Sequence, residues 1–283
     1  MSIVVEELSY TYMQNTSSAF NALRNVSFTV NDGEFVGIIG HTGSGKSTLI
    51  QQLNGLMHPT SGRVIVDGYD MNDKKQRVKG RALIGMVFQY PDYQLFDSTV
   101  LSDVSFGPRN LGLSEEEITA RSREALHLVG LDPDEIGEKS PFELSGGQKR
   151  RAALAGIIAM KPKYLVLDEP MAGLDPGGRR DILALIDSLR SELGCAVIMV
   201  SHSMDDIAKS AERIIVLNNG EVKQIGTPDE VFAHAEELSE IGLDVPKPMM
   251  LAALMRERGV DVPESIYTEE SFISWFEEAV RNV

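Results

Sequence analysis

One cysteine in 283 residues, Cys195, rules out an internal disulfide. It lies in the apolar run CAVIMV and reads as a buried thiol in a reducing compartment. No run reaches the ~18 consecutive apolar residues of a membrane span. The opening, MSIVVEELSYTY, lacks the basic and apolar blocks of a signal peptide. Positive charge is also scarce: 27 Lys and Arg face 42 Asp and Glu, a net of −15. Such a surface repels nucleic-acid backbone and anionic lipid, so neither is expected as the principal partner. Residues 228–283 hold much of the excess, with 13 acidic against 4 basic side chains. There is no internal repeat and no low-complexity segment. The expectation is a soluble chain that works at a membrane only if another subunit holds it there.

What is present is enough for a core: 42% hydrophobic and 24% charged residues are ordinary for a globular protein. The runs IVVEEL, VSFTV, EFVGIIG, RVIVDG and IGMVFQ, with NDG and DG turns among them, predict strands. From about 90 to 162 the pattern becomes helical. SEEEITARSREALHLVG opens on a capping box, Ser114 with Glu117, and stops at Gly130; KRRAALAGIIAM is a second helix. Strands then alternate with amphipathic helices: KYLVLDEP, GGRRDILALIDSLRSEL, CAVIMVS, DDIAKSA, RIIVLNNG. Apolar strands separated by helices imply a parallel sheet covered on both faces. The predicted fold is therefore α/β, with an N-terminal β-subdomain, a helical insertion and a small helical C-terminal domain. Residues 1–227 form the first domain and 228–283 the second, where three short helical segments are broken by DVPKP and DVPE.

Two glycine clusters each open a helix. In GHTGSGKST, Gly40-x-x-x-x-Gly45-Lys46-Ser47 is a complete phosphate-binding loop between a predicted strand and helix. Gly40, Thr42, Gly43, Ser44, Gly45 and Thr48 shape backbone that converges N–H groups on phosphate oxygens; Lys46 adds positive charge and the Ser47 hydroxyl suits Mg²⁺. YLVLDEP puts Asp168 and Glu169 at the C-terminal end of a buried strand, where parallel sheets present their sites. Asp168 suits a magnesium ligand and Glu169 a base that positions attacking water. The second cluster is LSGGQKRR: Ser145, Gly146, Gly147 and Gln148 start a helix whose first N–H groups point outward.

These motifs, with AGLDP and SHS in the same order, resemble the ATP-binding-cassette (ABC) ATPases across roughly residues 3–227. The resemblance implies ATP and Mg²⁺ as ligands. It also implies that Ser145–Gln148 bind the γ-phosphate of ATP held by the other subunit of a head-to-tail dimer. Two anion-ready helix starts would then serve two different nucleotides. By position, Gln89 resembles the glutamine that touches Mg²⁺, His202 the switch histidine at the γ-phosphate, and Asp175 the aspartate at the dimer seam. Tyr12 aligns with the aromatic that stacks on adenine, with Tyr10 as its rival. Met171 stands where many relatives carry Thr or Ser.

FQYPDYQLF and SPFELSGGQKRRAALAGIIAM narrow the resemblance to the ATPases of energy-coupling-factor importers, which take up vitamins or transition-metal ions. That resemblance implies a peripheral place at the cytoplasmic face of the membrane. It implies a second ATPase subunit, identical or not, a membrane coupling subunit and a membrane substrate-binding subunit. Tyr90, Pro91, Tyr93, Leu95 and Phe96 would floor the groove that receives a coupling helix, and the acidic tail would help the ATPases dimerise. Two rivals stand beside this reading: a non-transport ABC ATPase acting on nucleic acid or ribosomes, and the ATPase of an ordinary ABC importer.

Overall fold

The structure is a computed structural model and describes residues 1–281. Its first third alternates strand with turn: β1 (Ser2–Tyr12), β2 (Phe20–Asn31), β3 (Phe35–Ile39), helix α1 (Lys46–Leu53), β4 (Ser61–Val66), β5 (Tyr69–Asp70), α2 (Lys74–Arg81) and β6 (Ile84–Val87). Next comes a helical stretch. A short 3₁₀ turn at Pro91–Gln94 leads to α3 (Val100–Asn110), α4 (Glu115–Leu128), α5 (Pro133–Ile136), a second 3₁₀ turn at Pro141–Glu143 and α6 (Gly146–Ile158). Strand and helix then alternate through β7 (Tyr164–Asp168), α7 (Pro176–Leu193), β8 (Ala196–Val200), α8 (Met204–Ser210), β9 (Arg213–Asn218) and β10 (Glu221–Gly226). Four helices follow: α9 (Pro228–Phe232), α10 (Ala235–Glu240), α11 (Lys247–Glu257) and α12 (Glu269–Arg281).

One sheet runs β2-β1-β4-β5 and is antiparallel; the other runs β10-β9-β3-β8-β7-β6 and is parallel except for its β10 edge. Period-two alternation divides each parallel strand between two cores. Phe35, Leu165, Leu167, Val197 and Met199 face the helical side. Val36, Ile38, Val166, Ile198 and Val200 face α1 and the antiparallel sheet. Every residue of β3, β6, β7 and β8 is buried, as the apolar runs predicted.

Local signals fix the helix ends. Ser114 and Glu117 form the capping box of α4, and Gly130 takes a left-handed φ of +70° beyond its C-terminus. Helix α2 escaped the sequence reading because KKQRVKGR has no apolar stripe; the Asp73 carboxylate caps it, accepting from the N–H groups of Lys75 and Gln76. In the tail, Val231, Phe232, Leu238 and Leu243 still pack into the main core. A separate small cluster, Ala252, Val262 and Ile266, begins only with α11. Met250, Leu251 and Leu254 of α11 and Ile273, Phe276 and Val280 of α12 are exposed. Among the described residues no helix is long and apolar enough to cross a membrane.

Candidate functional site

Strand order lines up the chemistry. Reading β3-β8-β7-β6 along the sheet, the C-terminal ends deliver the Gly40–Thr48 loop, His202, the Asp168–Glu169 pair and Gln89 in turn. An open cleft of about 380 Å³ runs along this edge. Its walls include Thr42, Gly43, Gly45, Lys46, Ser47, Thr48, Gln89, Asp168, Glu169 and His202, with Tyr12, Phe20 and Ala22 of the antiparallel sheet closing one end.

The loop needs its glycines for geometric reasons. Gly43 and Gly45 sit at φ +85° and +106°. A Cβ on Gly45 would stand 2.6 Å from the Ala22 carbonyl oxygen, and one on Gly40 2.4 Å from Ser44 Oγ. Gly40 and Ser44 lie beneath the loop, not on its wall: both are buried. The loop is also braced from behind by the Asn219–Gly220 turn of the β9–β10 hairpin, where both residues have positive φ. Gly220 N–H donates to the Ser44 carbonyl (3.0 Å), and its own carbonyl accepts from Arg24 N–H (2.7 Å).

Lys46 is 7% exposed, and its Nζ donates to the carbonyls of Gly40 (2.6 Å) and His41 (3.0 Å). Burial pushes its pKa down, opposed by the charges of Glu169 and Asp168. Burial also raises the Asp168 carboxyl, against Lys46 and a hydrogen bond from the Ser47 hydroxyl. Glu169 is raised by burial too, chiefly against a backbone hydrogen bond from His202. It adopts φ +50°, unusual for a residue with a side chain, and its N–H donates to the Val200 carbonyl (3.0 Å). His202 is lowered by burial and by Lys46, which favours the neutral ring. One cation, two carboxylates and an imidazole thus share a partly desolvated cleft at the end of a helix-opening loop. That arrangement can cradle a polyphosphate and activate water beside it.

Among the described residues no three His, Cys, Asp or Glu side chains group to hold a metal by themselves. Ser47 and Asp168 supply a hydroxyl and a carboxylate on the same cleft wall, a donor pair that suits Mg²⁺ completed by phosphate and water oxygens.

Of the other expected residues, Ser145–Gln148 and Asp175 lie outside the cleft. Ser145 caps α6, accepting from Gln148 N–H (3.3 Å), while Gln148 Oε1 accepts from Ser145 N–H (3.0 Å). This reciprocal cap leaves Gly146 and Gly147, both exposed and open to solvent, with N–H groups that have no intrahelical acceptor. Asp175 caps α7, accepting from Gly178 N–H (2.8 Å). Tyr12 reaches the cleft, its hydroxyl 3.1 Å from Thr48 Oγ1; Tyr10 packs against the core between the sheets. Phe20, missed in the sequence, pairs directly across from Tyr12 and is 57% exposed on the cleft wall. Met171 is buried in the helical-side core.

The aromatic segment needs a correction. Leu95 is 8% exposed and packs in the helical-side core, and Pro91 is buried, so neither floors a groove. The 3₁₀ turn points them inward. Tyr90, Tyr93 and Phe96 are exposed, joined by Phe106 of α3, whose ring meets Phe96 edge-on at 5.0 Å.

Comparison with known proteins agrees with this geometry. Residues 23–172 match the family described as ABC transporter. The energy-coupling factor transporter ATP-binding protein EcfA2 of Caldanaerobacter subterraneus subsp. tengcongensis is 54% identical over 95% of this chain and 94% of its own length. That of Clostridium perfringens is 53% identical over 100% of this chain and 99% of its own. Among solved structures, cbiO1 of Clostridium perfringens, part of the ABC transporter complex cbiONQ, superposes with a TM-score of 0.75 at 39% identity, covering 90% of this chain and 98% of that one. The ATP-binding cassette MJ0796, a dimer bound to ADP and Pi, has a TM-score of 0.70 at 32% identity over 80% of this chain and 98% of its own.

Proposed function

The chain belongs to the ABC transporter family of ATP-binding proteins, and on that premise we propose how its residues divide the work. It is the ATP-hydrolysing subunit of an energy-coupling factor transporter, a peripheral membrane protein that works with a second ATPase, a membrane coupling subunit and a membrane substrate-binding subunit. The observation that carries the residue assignments is the row of Lys46, His202, Glu169, Asp168 and Gln89 along one sheet edge.

In our reading the loop N–H groups of Gly43–Thr48 cradle the phosphates and Lys46 neutralises their charge. Ser47, Asp168 and Gln89 would hold Mg²⁺, which would supply electrostatic stabilisation of charge on the transferring phosphoryl group. Glu169 takes the proton of attacking water, its raised pKa bringing its basicity nearer to neutral pH. Neutral His202 donates toward the γ-phosphate. Tyr12 and Phe20 flank the base. Ser145, Gly146, Gly147 and Gln148 face the nucleotide of the opposite subunit with Asp175 at the seam, because these groups lie outside the chain's own cleft.

Residues 1–227 carry the ATPase and the tail beyond them contributes to dimerisation through the exposed faces of α11 and α12. The membrane coupling subunit docks at Tyr90, Tyr93, Phe96 and Phe106 on the cytoplasmic side, and the cargo is a vitamin or a transition-metal ion. The test is purification from membranes with co-expressed genomic neighbours. A second ATPase and membrane subunits should co-purify, and Tyr93→Ala combined with Phe96→Ala should remove the membrane subunits while ATP hydrolysis by the soluble chain persists. Recovery of the chain with ribosomes or nucleic acid instead would overturn this reading.

A further inference from the structure

Helix α6 carries three consecutive basic residues, Lys149, Arg150 and Arg151, yet Arg150 is only 7% exposed. A buried guanidinium must be offset by hydrogen bonds, and the partners here come from two other segments. Its Nη1 donates to the Pro170 carbonyl (3.3 Å) and its Nη2 to the Ala172 carbonyl (3.0 Å), both in the turn that follows Glu169. The same Nη2 lies 3.5 Å from Oδ1 of Asp92, in the 3₁₀ turn between Tyr90 and Tyr93. The same two segments come close again at Tyr90 and Gly173. Tyr90 holds φ +58°, and its ring edge would lie 3.7 Å from a Cβ placed on Gly173.

We propose that Arg150 is a positioning residue that carries docking of the membrane subunit to the turn behind Glu169. Asp92 sits among the exposed aromatics, so anything seated on Tyr90 and Tyr93 bears on it. Displacing the 91–94 turn would change the Asp92 contact and shift the guanidinium against the Pro170 and Ala172 carbonyls. Glu169, one residue before Pro170 and already in a left-handed conformation, sits where a small backbone shift redirects its carboxylate. Only a planar, multidentate side chain serves here: an ammonium at position 150 cannot hold two carbonyls and a carboxylate along one fork. Because Arg150 stands on the helix that Ser145 caps, the same shift reaches the surface offered to the opposite nucleotide.

This inference rests on the aromatic patch being the docking site, so the experiment separates the two. Hydrogen–deuterium exchange is followed on the full ATPase pair, alone and bound to its membrane coupling subunit in nanodiscs. In the wild type, docking should slow exchange in residues 169–175 by roughly fivefold or more, the lower end of measured site-to-site couplings. Asp92→Asn and Arg150→Lys should still bind the membrane subunit but show little of this slowing, while Asp92→Glu restores it. A purely structural role for Arg150 would shift melting without changing the response to docking. Should Arg150→Lys fail to fold, Asp92→Asn decides, since that side chain is 30% exposed. No change at 169–175 in the docked wild type, or a full response in Asp92→Asn, overturns the proposal. Undiminished binding by Tyr93→Ala with Phe96→Ala overturns the docking reading instead.

Discussion

Oε1 of Glu169 lies 3.3 Å from Nε2 of His202, yet among the described residues no well-aligned donor satisfies that buried oxygen. The Glu169 carboxylate lines the cleft beside His202, where it can accept a proton from water held there. Glu169→Gln keeps the shape and removes the basicity. Turnover should fall on the order of 10²-fold or more, with ATP-bound dimer accumulating on size exclusion. Wild-type hydrolysis should also decline on acidification at a pH above the ordinary glutamate value of about 4.3, since burial raises this carboxyl. The variant's residual rate should lack that limb.

The same burial sets a cost in stability. Asp168 and Glu169 bind protons more tightly folded than unfolded, so stability drops as pH rises from the ordinary carboxylate value through the raised folded one. At neutral pH both charges are held at a loss. Asp168→Asn and Glu169→Gln should therefore each melt above wild type at pH 7.5, and the gain should shrink as the pH falls toward 4. A lower melting temperature for both would mean that Lys46 more than offsets their burial.

Ser145→Arg places bulk and charge on the capped start of α6, outside the cleft that the chain lines itself. Binding of a fluorescent ATP analogue to the monomer should be unchanged within about twofold, while dimer-dependent hydrolysis fails. Equal losses in both assays would place Ser145–Gln148 at the chain's own nucleotide.

Phe20 presents the more exposed aromatic face of the cleft, whereas the Tyr12 hydroxyl is held at Thr48. Base–aromatic stacking contributes about 1–3 kcal/mol, so Phe20→Ala should raise the KM for ATP roughly fivefold or more with kcat nearly constant. Phe20→Trp should restore it and Phe20→Leu should not. Full affinity in the leucine variant would reduce Phe20 to an apolar wall.

Local chemistry was readable in advance, and distant packing was not. The phosphate loop, the Asp168–Glu169 strand end and the Ser114–Glu117 cap each depend on residues within a few positions of one another, so the sequence displays them whole. Leu95 was misplaced because PDYQLF is too short and irregular to show a period, and its 3₁₀ turn buries one apolar residue between exposed aromatics. Phe20 reaches the cleft through cross-strand pairing with Tyr12, after register shifts along β1 that no local pattern announces. Nothing local in KRR marks Arg150 as buried; its burial depends on carbonyls about twenty residues further on.

The brace behind the phosphate loop has a consequence during synthesis. Ala22 and Gly45 leave the ribosome well ahead of the Asn219–Gly220 turn that closes against them. At about 5–20 residues per second, the gap is on the order of ten seconds or more. Through that interval the nascent polypeptide displays the complete loop sequence without its supporting wall. A product ending before residue 219 carries every letter of the motif without that wall, so it should bind ATP more weakly than the full chain.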